Sequence, residues 1–152
     1  MAESVEAMAD TSAQQLVVFS LGAEEYALPI AAVSEIIRFS EPRAVASEVP
    51  WIRGVIGLRG KIIPIFDLAA RMRLESSEPG KIVIVESGTG QVGVMVDEVE
   101  EVLTVSSEQL EDVPSATSTA IEAIAKIDDR LVILLNPAGL FARSSGEDLA
   151  AA

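Results

Sequence analysis

An all-β fold with only short helices, built as two similar small units, follows from three observations. Apolar residues come in short Val/Ile-rich runs closed by Gly, Pro, Asn or Asp, the pattern of strands and turns, and no stretch sustains a long helical period. The chain also matches itself. Shifted by 66, Leu16–Phe19 falls on Ile82–Val85, Gly22 on Gly88, Val33 on Val99, Glu35 on Glu101, and Ile36–Ile37 on Val102–Leu103. Shifted by 69, Ile62–Asp67 falls on Leu131–Asn136. Finally, hydrophobic residues are 49% of the 152 but aromatics only 4%, so aliphatic side chains must fill the core. Half of such a chain is thin for a core of its own. The two units are therefore expected to pack on each other, with strands apolar on both faces lining a barrel on one side and a shared hydrophobic seam on the other.

In order, Met1–Ala13 reads as an acidic, disordered tail. Gln15–Leu21 is a strand, Gly22–Glu25 a turn, and Tyr26–Ile30 the returning strand. Ile30, Val33, Ile36 and Ile37 have the spacing of a short helix with one buried face, which would expose Ser34, Glu35 and Arg38. Arg43–Pro50 is an irregular connector. Val55–Leu58 and Ile62–Phe66 form a hairpin turned at Arg59, Gly60 and Lys61, with Gly60 supplying the positive φ such turns use. Pro64 cannot donate to a ladder, so its strand is an edge or bulges there. Asp67 caps a helical turn over Leu68–Met72, and Ser76–Gly80 is a loop.

Lys81–Glu86 and Gln91–Val96 form the next hairpin, followed by a strand over Val99–Val105 and a helical turn over Ser106–Leu110 capped by Ser106 or Ser107. Pro114–Thr119 is a connector. Ala123–Ile127 and Arg130–Leu135 form a last hairpin around Asp128 and Asp129. Pro137 opens a short final helix, at the position where its missing N–H costs nothing. Residues 14–142 are read as one domain of two subdomains, and 143–152 as a disordered tail.

Composition narrows the chemistry. The chain has no Cys and no His, so it offers no thiolate nucleophile, imidazole base or disulfide, and no soft or imidazole metal ligand. Neither Gly-x-Ser-x-Gly nor Ser-x-x-Lys occurs, and no calcium loop is present. No enzyme, cofactor or metal is expected. Gly54, Gly57 and Gly60 invite a phosphate-loop reading, but such a loop must open a helix. Here Lys61–Phe66 is a β pattern, so the glycines belong to a hairpin.

The net charge of −13 argues against nucleic acid or an anionic membrane as a partner. The charge is uneven, with basic residues concentrated from Arg38 to Lys81 and acidic ones from Asp97 to Asp112. Such an acidic run is either a solvated face or a surface that steers a basic partner. Without an 18-residue apolar run or a secretory pattern at Met1–Gln15, a cytoplasmic protein with no direct membrane insertion is expected.

The stretch RGVIGLRGKIIPIFDL resembles the central signature of the CheW family, the coupling proteins of bacterial chemotaxis, with Gly57 where that family usually has Asn. FSLGAEEYALPIAAVSEII, VGVMVDEVEEVL and RLVILLNPAGLF extend the resemblance from about Gln15 to Phe141. It implies two five-stranded SH3-like β-barrels around a common seam. It also implies a non-catalytic adaptor, recruited to receptor arrays, that joins the cytoplasmic tips of methyl-accepting chemoreceptors to the regulatory domain of a CheA-type histidine kinase. A paralogous pathway, such as twitching or gliding motility, is the alternative.

Arg59 stands at the family's Leu-Arg-Gly position and is implied in coupling; read from the residues alone it is either a solvated turn cation or a forked donor to a carboxylate or partner. Val33 and Glu35 lie in a segment that neighbours the partner surface by resemblance, although spacing alone makes Val33 core and Glu35 solvated. Gly54, Gly60 and Gly93 match family glycines and are expected to let backbones pass closely.

Overall fold

The computed structural model describes residues 13–46, 51–74, 78–87, 90–113 and 120–141. Apart from Ala13, which was read as the end of the tail but pairs with Ser106 as the first residue of the first strand, the expected tails, the Pro114–Thr119 connector and parts of the other loops lie outside these residues. The described chain runs β1 (Ala13–Leu21), β2 (Glu24–Pro29), β3 (Val33–Arg38), β4 (Ile52–Leu58), β5 (Lys61–Asp67), α1 (Leu68–Arg71), β6 (Lys81–Ser87), β7 (Gly90–Val96), β8 (Glu98–Ser106), β9 (Leu110–Asp112), β10 (Ile121–Ile127), β11 (Arg130–Leu135) and α2 (Pro137–Phe141). Short 3-10 turns cover Ile30–Ala32 and Ser107–Gln109.

The helical reading of Ile30–Ile37 is corrected. Its helical part ends at Ala32, and Val33–Arg38 is a strand whose residues alternate between half-buried and exposed. Over so few residues an i, i+3 spacing and a two-residue alternation are hard to tell apart, since both put Val33 and Ile37 inward; they differ at Ile36 and Glu35. Val33, Ile36 and Ile37 are β-branched and suit the pleat. The outward row is consequently Ser34, Ile36 and Arg38, and Glu35 turns inward. The three-residue strand β9 had no apolar alternation to announce it. Elsewhere the local chemistry acts as read, with Asp67 capping α1 by accepting the Ala70 N–H at 3.1 Å. The ladder from β5 to β7 starts at Ile65, so Pro64 sits where β5 is still locally an edge.

The strands assemble into two sheets, A in the order β8-β1-β2-β11-β10-β9 and B in the order β3-β6-β7-β5-β4. The halves are interleaved. The β1–β2 hairpin from the first half lies in sheet A among strands of the second half, and the β6–β7 hairpin lies in sheet B among strands of the first. Under the internal repeat, β8-β1-β2-β11-β10 maps onto β3-β6-β7-β5-β4 strand for strand. The register maps too, because the parallel pair Leu134 with Ala27 is the counterpart of Ile65 with Gly93. Bulges recur at Val33/Glu35 and Val18/Phe19, and at Ile52/Gly54 and Ile121/Ala123.

The core has three parts. Ile56, Ile63, Ile65, Ile82 and Ile84 fill sheet B, and their repeat counterparts Ala125, Val132, Leu134, Leu16 and Val18 fill sheet A. Between the sheets, Phe19, Tyr26 and Leu28 meet Val83, Val85 and Val94, with Leu68 and Leu140 from the two helices. The two exchanged hairpins, β1–β2 and β6–β7, are therefore buried on both faces, and burying one such aliphatic side chain is worth about 1.5–3 kcal/mol.

Candidate functional site

The site begins with a turn. Leu58 pairs with Lys61, leaving Arg59 and Gly60 as a two-residue hairpin loop, and both have positive φ, 53° and 81°. Strand twist favours this mirror-image turn, in which Gly is at ease and an arginine is not. Arg59 is nonetheless held there, and its Nη1 donates to Glu35 Oε1 on β3, the outer strand of sheet B. The arginine side chain remains 69% exposed while Glu35 is 27% exposed. The hydrogen bond and charge of Glu35 push the guanidinium's pKa still further above its ordinary value.

Glu35 follows the bulge in the β3–β6 ladder, which turns its carboxylate toward the open end of the sheet. Beside it, the bulged Ser34 donates to Glu86 Oε2, and Gln91 Nε2 donates to the same oxygen at 3.2 Å. These hydrogen bonds hold the Glu86 carboxyl below its usual range. Val33 is half-buried and packs against the seam cluster between the sheets. Thus Arg59, Gly60 and Glu35 are brought together, and Val33 lies two residues away along the same strand, at the seam.

The other glycines serve packing. Gly54 has φ 156°, and a Cβ there would stand 2.2 Å from the Arg43 carbonyl oxygen, where Arg43 and Val55 exchange backbone hydrogen bonds at 2.8 and 2.9 Å. This is the expected close backbone passage. A Cβ at Gly93 would meet side chains instead, Ile65 Cδ1 at 2.6 Å and Ile82 Cγ2 at 2.8 Å. Gly60 has open space around it, so its role is the turn conformation and not close approach.

Sequence reasoning passed over a second polar cluster. Arg130, at the start of β11, donates from Nε and Nη2 to the two oxygens of Glu25 at 3.1 and 3.2 Å, and its Nη1 lies 2.8 Å from Glu101 Oε2 on β8. Exposed apolar side chains were missed as well. Ile36 and Ile62 on sheet B and their counterparts Val102 and Leu131 on sheet A are 41%, 71%, 51% and 63% exposed. The repeat was the signal that could have found them, since it aligns Glu35 with Glu101, Ile36 with Val102 and Ile62 with Leu131.

A cleft of about 220 Å³ between β7 and α1 is lined by Arg53, Asp67, Asp97 and apolar side chains. Its carboxylates are engaged in structure: Asp67 caps α1, and Asp97 Oδ2 accepts from the Gly22 N–H at 2.8 Å. Among the described residues no group of three or more His, Cys, Asp or Glu is placed to hold a metal ion, and no helix is long and apolar enough to cross a membrane. The arrangement offers surfaces, ion pairs and strand edges.

The profile of the CheW-like domain matches residues 15–145. The chain is 30% identical over 141 residues to the chemotaxis protein CheW of Bacillus subtilis, covering 88% of this chain and 90% of that one. A crystal structure of the scaffolding protein TtCheW from Thermoanaerobacter tengcongensis superposes with a TM-score of 0.80 at 34% identity, over 90% of this chain and 97% of the other. A more distant likeness, 27% over 84 residues, is to the protein PilI of Pseudomonas aeruginosa, covering 53% of this chain and 47% of that one.

Proposed function

Because the chain belongs to the CheW-like domain family, we propose that it serves as a non-catalytic adaptor in chemotaxis signal transduction, joining chemoreceptor tips to the regulatory domain of a CheA-type histidine kinase in membrane-associated receptor arrays. The observation that carries this reading is the pairing of Arg59 with Glu35. An exposed arginine kept in a backbone conformation it disfavours, and tied to an outer strand, points to a role in recognition. The receptor side is assigned to the Arg59 turn, Glu35 and the seam beside Val33. The kinase side is assigned to the apolar edges, above all β8 with its exposed Val102. A few well-placed contacts dominate such interfaces, so one change can remove one partner and spare the other.

A pull-down of the chain against the kinase regulatory domain and the receptor tip encoded beside it tests the reading. Capture of both, with Arg59 and Val102 variants each losing a different one, supports it. Capture of neither overturns it. The likeness to PilI gives the second reading, the same adaptor role in another receptor–kinase pathway. Preferential capture of a kinase and receptor from that pathway would favour it.

A further inference from the structure

Resting on the adaptor reading above, we propose that Arg130 is a positioning residue for the β8 docking edge, acting through Glu101. The outer strand β8 is hydrogen-bonded on one side only, to β1. Along that ladder Val18 pairs with Glu101 but Phe19 pairs with Val99, so Glu100 is bulged out. A bulge bends a strand and re-aims the residues that follow it. Glu101, the first residue past the kink, is caught by Arg130 from β11, three places away in the sheet. The same planar guanidinium forks onto Glu25 of β2. One side chain thus ties β2, β8 and β11 across the open end of a sheet whose outer strands, among the described residues, are not hydrogen-bonded to each other.

The other unit has the same device. Ser34 is the bulged residue of β3, and Glu35, the first residue past it, is caught by Arg59 from the equivalent hairpin. The donors do not correspond, however. By the repeat, Arg59 falls on Asp128 and Arg130 falls on Lys61. The carboxylate and the bulge are shared while the arginine has moved by two positions, which marks the link to the kinked edge as the common requirement. The two links also differ in firmness. Arg59 makes one bond from a 69% exposed side chain, whereas Arg130 is 35% exposed and engages two carboxylates. The β8 edge, with Val102 on its outward face, is therefore held in a more fixed direction than β3.

The test is a titration of the kinase regulatory domain onto the full chain and onto its Glu101→Gln, Arg130→Gln and Glu25→Gln variants, with thermal melts alongside. Glu101→Gln and Arg130→Gln should each weaken binding by about tenfold, the scale of one good interface contact. The double variant should be no worse than either single, because both act through one link. Glu25→Gln, which removes only the leg that does not reach β8, should bind like the parent, and all variants should still bind the receptor tip. Parent-like affinity for Glu101→Gln and Arg130→Gln would overturn the proposal. So would a loss confined to Glu101→Gln, which would mean direct contact, or equal losses for both legs, which would mean a merely structural role. If Arg130→Gln fails to fold, the comparison of Glu101→Gln with Glu25→Gln decides alone. Absence of binding by the parent chain would instead overturn the adaptor reading, and with it the role given to the clamp.

Discussion

Arg59 costs the turn it occupies. A non-glycine residue in the left-handed region gives up about 1–2 kcal/mol, and Asn and Asp are among the few that tolerate it. The repeat counterpart, at a φ of 54°, is Asp128, a residue suited to the conformation. Arg59→Asn should therefore leave thermal stability unchanged or raise it by about 0.5–1 kcal/mol, while receptor control of the kinase is lost. A variant that folds and still couples normally would reduce Arg59 to a solvated turn residue. Glu35→Lys sets two cations face to face at the same spot. It should weaken receptor binding and leave kinase-domain binding intact, as read by titrating each partner separately. Loss of both in a folded protein would mean that the two surfaces overlap.

Strand β4 shows what an element demands of its residues. Gly54→Ala would drive a Cβ into the Arg43 carbonyl at a strained φ, so it should cost at least about 2 kcal/mol in chemical denaturation. Gly57→Ala, three residues on with nothing within 4 Å, should stay within about 0.5 kcal/mol. Across the neighbouring strands, Glu86 accepts from Ser34 and Gln91, and its pKa is lowered. A depressed carboxylate contributes stability that is fully present above the ordinary Glu pKa and is lost as pH falls through the lowered value. Glu86→Gln should lower stability slightly near neutrality and flatten the acid limb of the stability profile, leaving it little changed at low pH where the carboxyl is protonated anyway.

Elements with local chemistry were legible in the sequence: the Asp67 cap, the Gly60 turn, the Pro137 start, and the hairpins bounded by turn residues. β3 was misread because six residues cannot separate a bulged alternation from a helical face. Its neighbour β6, which decides the matter, lies over 40 residues on. The Glu35–Arg59 pair was half legible, since both residues were singled out. Their contact depends on a bulge that leaves no mark in composition.

At the scale of the molecule the decisive fact is the exchange of hairpins, and no local signal carries it. The repeat announced two like units, and only long-range pairing, such as Tyr26 with Ile133, shows which strands belong to which sheet. The exchange also redistributes charge. Sheet A has only Lys126 and Arg130 as bases on its strands, while sheet B gathers Arg38, Arg53, Lys61 and Lys81. Neither half can complete a sheet by itself. Fragments 1–76 and 77–152 should each lack cooperative unfolding when separate and recover a single transition when mixed, as followed by circular dichroism. A transition in either fragment alone would contradict the exchange. The same topology bears on ancestry. Two copies of a small protein that traded hairpins to form a dimer, later joined end to end in one gene, would leave this strand order, this register and these repeated bulges. Once joined, the copies were free to diverge at their outer strands while their exchanged hairpins kept them inseparable, so one chain could come to present two different faces.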